Sequence, residues 1–303
     1  MIDRILVPLD GSRVAEQILP HLRRLLFRHD SEVILVRAAV PPPIENGMLI
    51  ADAMLSASRD YLLKLEDRMQ RQGVRVRSVT RVGSAIGVIL DSAEQEKATM
   101  IALATHGETG LKRLLAGSVA EAVLKQSTVP VMVVRPFRSY DLLPARIDGD
   151  DLKPMRNILV PLDDSDDAEA LLPSVIELAR LFDARIILLH VQEERKVEDP
   201  IARRLRDEEH LANFAARLDA QAIPQITMIG KGDPAQQILD ASRTYEADLI
   251  AMTTHGKSQF LRFFSSTVTV KVLHDSSCPL LVMRSSMPGA GMRESDPAGV
   301  TGR

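Results

Sequence analysis

The 303-residue chain sets 38 Lys+Arg against 41 Asp+Glu, a formal net charge of −3, and its only aromatics are 7 Phe and 3 Tyr. So balanced a charge and so few rings argue against non-specific nucleic-acid binding, which leans on basic charge and base stacking, while 45% hydrophobic residues suffice for an aliphatic core. One cysteine, Cys278, permits neither an intrachain disulfide nor a cysteine zinc site; with no apolar run near ~18 residues and no signal-like N-terminus, a soluble cytoplasmic protein without membrane or nucleic-acid partners is expected.

In chain order, a near-continuous apolar run predicts a strand at 4–9, and Asp10-Gly11-Ser12 follows it. A helix fits 13–28, a second strand 32–38, a helix 51–72 and a third strand 74–81. Then come a helix at 84–96, a strand at 99–104, a helix at 118–126 and a last strand at 130–134. Strands that read as unbroken Val/Ile/Leu runs belong to a parallel sheet covered on both faces by crossover helices. The βαβ succession therefore predicts a doubly wound α/β domain.

From residue 157 the same design starts again. Residues 4–20 (RILVPLDGSRVAEQILP) and 157–173 (NILVPLDDSDDAEALLP) are identical at 11 of 17 positions, at an offset of 153. Later the offset is 149, where Thr105-His106-Gly107 matches Thr254-His255-Gly256 and Val129-Pro130-Val131 matches Cys278-Pro279-Leu280. A loop four residues shorter in the second copy explains the slip. The repeat predicts strands near 156–162, 185–191, 225–230, 248–253 and 279–283, and so two tandem, Rossmann-like, five-stranded, mainly parallel sheet domains. The expected boundaries are 1–138 and 155–285, with a linker at 139–154 stiffened by Pro144 and Pro154 and a disordered tail at 286–303.

In open parallel sheets ligands sit beyond the carboxyl ends of the strands, where the strand order reverses. Asp10 follows the first strand; Ala104-Thr105-His106-Gly107 and then Gly117-Ser118-Val119 follow the fourth. Ser118 with Glu121 reads as a capping box opening a helix whose free N–H groups face the strand ends. Gly107 and Gly117 either let backbone approach a phosphate or simply serve tight turns. His106 and His255 recur in the loop with no nucleophile or carboxylate placed to pair with them, and loop-ordering hydrogen bonds are their expected role. Cys278, before Pro279, reads as a small buried hydrophobe, and the aspartates at 163–167 as a solvated helix N-terminus rather than a metal loop. Neither a P-loop nor a strand-1 dinucleotide motif is present.

ILVPLDGS at the start and ATHGETGLKRLLAGSVAEAVLKQSTVPVMVV after the fourth strand resemble the universal stress protein family, and the resemblance covers both units. Nucleotide-binding members carry G-x2-G-x9-G-[S/T] after strand 4 and an Asp after strand 1. Here the first unit reads Ala104-x2-Gly107-x9-Gly117-Ser118, with Ala for the first glycine. The resemblance implies an adenine nucleotide, ATP with Mg2+ as its counter-ion. It places Asp10 near adenine or ribose, the Ala38 backbone beside the base, Leu103 and Ala104 flanking the nucleoside, and Gly107, Gly117, Ser118 and Val119 around the phosphates. The second unit reads Thr253-x2-Gly256-x9-Ser266-Thr267 and keeps one of three glycines. Its weaker site would comprise Asp163, Val191, Gly256, Ser266 and Thr267, with a carboxylate-rich loop that disfavours a polyanion.

The resemblance further implies pairing through the final strands, VMVV at 131–134 and LLVM at 280–283, within the chain, and further homodimerisation is expected. An ATP-binding, nucleotide-dependent regulatory switch or interaction module in a stress response is the leading function. No catalytic residue stands out. The alternatives are a slow ATPase or nucleotidyl-transferring enzyme on the same fold, for which no base is found, and a nucleotide-free scaffold.

Overall fold

The computed structural model describes residues 2–26, 31–41, 50–105, 117–135, 154–163, 167–192, 199–254 and 268–284. In the first unit β1 (Arg4–Pro8) leads through a 3-10 turn (Ala15–Ile18) into α1 (Leu19–Leu26), then β2 (Glu32–Ala39), α2 (Ala51–Gln70), β3 (Val76–Val82), α3 (Ala85–Gln95), β4 (Met100–Ala104), α4 (Ser118–Gln126) and β5 (Val131–Val134). The second unit repeats this with β6 (Asn157–Leu162), α5 (Asp167–Phe182), β7 (Arg185–Gln192), α6 (Pro200–Asp219), β8 (Gln225–Lys231), α7 (Pro234–Thr244), β9 (Leu249–Thr254), α8 (Val268–Asp275) and β10 (Leu280–Arg284). The strands begin and end within two residues of their predicted positions. The helix expected over 13–28 differs, because its first turn is 3-10 and α1 is described only to Leu26. The four-residue slip falls between β2 and α2, since residues 40–50 join them whereas 193–199 join β7 to α6.

Each unit is a doubly wound parallel sheet, ordered β3-β2-β1-β4-β5 in the first and β8-β7-β6-β9-β10 in the second. The two sheets meet along one antiparallel ladder, Leu280↔Val133, Leu281↔Met132 and Val282↔Val131, so ten strands form one sheet. Alternation along the strands divides the core between the faces. Ile5, Val7, Leu35 and Met132 point to the face covered by α1, α2, α5 and α6, with Leu22, Leu62 and Val175 packing on them. Leu6, Ile34, Val36 and Val133 point to the face covered by α3, α4, α7 and α8, with Val123, Ile238 and Leu273. Both layers run through the two units without a break. Among the described residues no helix is long and apolar enough to cross a membrane.

The first strand of each unit is tied to the fourth by an equivalent side chain. Thr99 Oγ1 accepts from the N–H groups of Asp3 (3.0 Å) and Arg4 (3.1 Å). Asp248 Oδ2 accepts from those of Arg156 (2.8 Å) and Asn157 (3.1 Å). Asp248 has a second oxygen that Thr99 lacks, and Arg24 Nη2 of the first unit donates to it at 2.5 Å.

Candidate functional site

The chain runs from β1 outward through β2 to β3 and then returns to β4 on the other side of β1. The order therefore reverses between β1 and β4, and the crevice beyond their carboxyl ends is where such sheets bind ligands. Pairing Pro8↔Val36 and Leu6↔Ile101 brings Asp10, Ala38 and Ala104 to about one level on three neighbouring strands. Asp10 is exposed, and its Oδ1 accepts from the Ser12 N–H at 2.8 Å, which fixes the carboxylate at the turn. Gly11 takes φ +90° there, a conformation that disfavours a side chain. Ala38 is half-buried toward α3 and α4, and Leu103 is buried on the same side. Ala104 packs on the opposite layer. Thr105 is buried, and its N–H donates to Val134 O at 2.9 Å, which anchors the chain as it leaves β4.

Gly107 and His106 lie outside the described residues. At the other end of that loop Gly117 is the N-cap of α4 with φ −52° and ψ 143°, Ser118 is the exposed first helical residue, and Val119 packs on the α3–α4 layer. This corrects the expected capping box. The helix starts one residue earlier than expected, with Ser118 in its first turn and not at the cap, and among the described residues no side chain caps it. The Glu121 N–H donates to Gly117 O at 3.0 Å, while its carboxylate accepts from Lys125 Nζ at 2.6 Å. Gly117 has no side chain to accept from the first-turn N–H groups, so the cap residue leaves them unsatisfied.

The second unit brings Asp163, just past β6, level with Val191 near the end of β7, by the pairing Leu162↔His190. Asp163 is exposed and Val191 is half-buried. Gly256, Ser266, Thr267 and His255 lie outside the described residues. Thr253 is half-buried at the end of β9, where the first unit has Ala104. No group of three or more His, Cys, Asp or Glu fit to hold a metal ion occurs among the described residues. Cys278 is partly buried, its Sγ 3.5 Å from Ser276 Oγ, and burial raises its thiol pKa.

Behind the Asp10 turn is a polar cluster that the sequence reading missed. A Cβ on Gly11 would stand 3.0 Å from a guanidinium nitrogen of Arg37, whose guanidinium carbon lies 4.8 Å from the centre of the Tyr61 ring. The Tyr61 hydroxyl donates to Glu16 Oε1 at 2.9 Å. Burial first, and then Glu16, hold the phenol above its ordinary pKa, so it stays a hydrogen-bond donor. The signal lay in β2, where Arg37 is the only charge after Glu32 in EVILVRAA. The second unit puts His190 at the matching position, buried, with Nε2 3.5 Å from Asp207 Oδ1 and its ring 6.1 Å from that of His210.

The family model described as the universal stress protein family matches residues 1–135 and 154–284. Universal stress protein MJ0531 of Methanocaldococcus jannaschii is 33% identical over 138 residues, which span 44% of this chain and 81% of that protein. Universal stress protein MJ0577 of the same organism is 29% identical over 155 residues, 45% of this chain and 96% of its own length. A solved structure of a universal stress protein from Archaeoglobus fulgidus DSM 4304 superposes with a TM-score of 0.71 at 20% identity, over 94% of this chain and 99% of that one. At that identity the likeness speaks for the fold.

Proposed function

The chain belongs to the universal stress protein family, and from that premise we propose that it is an ATP-binding regulatory protein, cytoplasmic, whose first unit holds the nucleotide and whose second binds it weakly or not at all. One observation carries this reading. Asp10, Ala38 and Ala104 stand level at the point where the strand order reverses, and α4 opens nearby on a glycine with no side-chain cap. The first-turn N–H groups and the positive end of the helix suit a phosphate, and the aliphatic Leu103 and Ala104 suit the flanks of a nucleoside. Gly107 and Ser118 complete the phosphate side, with Mg2+ as the counter-ion of ATP.

The second unit supports the asymmetry by its chemistry. Thr253 replaces the small residue at the end of the fourth strand, Ser266 replaces a glycine, and Asp163 heads a run of carboxylates repulsive to a polyanion. Nucleotide occupancy would bias a surface that a partner or a second copy reads. The domains proposed are 1–138 and 155–285, paired within the chain through β5 and β10, and further homodimerisation belongs to the same reading. Isothermal titration with ATP tests it. Gly117→Val is expected to abolish binding and Ser266→Val to leave it intact, at about one nucleotide per chain. Loss in the second variant alone, or two nucleotides per chain, would overturn the assignment.

A further inference from the structure

The ladder between β5 and β10 has a symmetry that its register reveals. Val131, Met132 and Val133 correspond in the repeat to Leu280, Leu281 and Val282. The observed partners are Leu280↔Val133, Leu281↔Met132 and Val282↔Val131. Equivalent residues thus meet as mirror positions, and an approximate two-fold axis passes through the Met132–Leu281 pair. Each position along the seam therefore has an equivalent position across the axis.

One contact between the units is ionic. Arg24 of α1 and Asp248, ahead of β9, lie 2.5 Å apart with side chains only 18% and 21% exposed. Across the axis the repeat carries Arg24 onto Glu177 and Asp248 onto Thr99. The second equivalence is structural as well, since Thr99 and Asp248 accept from the same two N–H positions. One end of the interface thus joins an arginine to an aspartate, and the equivalent positions at the other end hold Glu177 and Thr99.

Resting on the reading that the units pair within the chain, we propose that Arg24 and Asp248 make this interface selective for the unlike unit. Pairing of the second unit with its own kind from another copy would set Glu177 against Asp248 at both ends of the axis. Pairing of the first unit with its own kind would set Arg24 against Thr99 twice. Among these four positions, only the unlike arrangement brings opposite charges together. The ladder cannot make that distinction, because Val131, Met132, Leu280 and Leu281 are all buried aliphatics of similar size. Discrimination comes from repulsion in one wrong arrangement and a lost ion pair in the other.

The full chain carrying Cys278→Ser provides the background for the test. Met132→Cys with Leu281→Cys is expected to form an intrachain disulfide under copper–phenanthroline, and failure to form it would overturn the pairing reading itself. Arg24→Glu with Glu177→Arg then sets like charges together in the unlike arrangement and opposite charges in second-unit self-pairing. Light scattering should show self-association strengthened by at least about tenfold over wild type, because several contacts reverse and each is worth a few-fold. Leu281→Cys alone should then link two chains in this charge-reversed protein and not in wild type. Glu177→Arg alone keeps the Arg24–Asp248 pair, so it is expected to keep the intrachain disulfide and yet self-associate more. Charge-reversed protein that keeps the intrachain disulfide and shows no added self-association would sink the selectivity proposal while leaving intrachain pairing in place.

Discussion

His21, on α1, is the residue whose ionisation the fold opposes most clearly. Burial first, and then the charge of Arg24, lower its pKa from 6.5 to about 4, and its Nδ1 has no hydrogen-bond partner among the described residues. The unfolded chain takes up a proton below pH 6.5 that the folded chain refuses until about pH 4. Stability is therefore lost as pH falls through that window, by on the order of 3 kcal/mol at its lower end. His21→Leu should flatten this dependence, so that urea midpoints measured at neutral pH and near pH 4 differ less than in wild type. The same scale separates what sequence could and could not find at the site. Asp10, Ala104 and Gly117 were legible because strand ends and glycine spacing mark them. Arg37, Tyr61 and Glu16 were not, because their contacts join β2, α2 and the first 3-10 turn, and residues so far apart in sequence carry no local signal.

Elements were the most legible level, since unbroken aliphatic runs and helical periods rest on burial that the whole fold supplies. Their ends depend on finer chemistry. Ser118 and Glu121 had the spacing of a capping box, yet Gly117 takes the cap and Glu121 pairs with Lys125 one turn on. The turns that close α2 and α6 make a controlled comparison. Gly73 takes φ 78° in the first unit and Ala222 takes φ 55° at the matching place in the second. Both turns close alike, with Val74 N–H donating to Met69 O and Ile223 N–H to Leu218 O. Alanine in the left-handed region costs about 1 kcal/mol that glycine does not. Ala222→Gly is thus expected to stabilise the protein by up to about 1 kcal/mol, read as a higher denaturation midpoint. A midpoint lowered by the change would show that the loss of unfolded-chain restriction dominates. At the outer edge of the sheet, Arg77 and Arg81 of β3 both pair with Glu96, and such charges on an edge strand discourage further strand addition.

On the scale of the whole molecule the repeat foretold two units, but no pattern within either copy specified how one ten-stranded sheet would be registered. That register comes from shape and burial along Met132 and Leu281, which are apolar wherever the strands are set. Asp248 joins three elements at once: it satisfies the N–H groups entering β6 and reaches across to Arg24. Asp248→Ala should cost about 2 kcal/mol, since charge-assisted hydrogen bonds are lost and a partly buried guanidinium loses a carboxylate. Thr99→Ala removes only the neutral version and should cost about 1 kcal/mol. Chemical denaturation of both variants checks the difference, and equal losses would assign Arg24 no share in the stability of the interface.

Because β5 and β10 lie on one polypeptide, the ladder between them answers to no mass-action law. A symmetric pair of separate chains comes apart when diluted. Tethered partners instead see each other at an effective concentration on the order of millimolar, whatever the amount of protein. The ten-stranded sheet should then persist at nanomolar protein, where a pair of separate chains would have come apart.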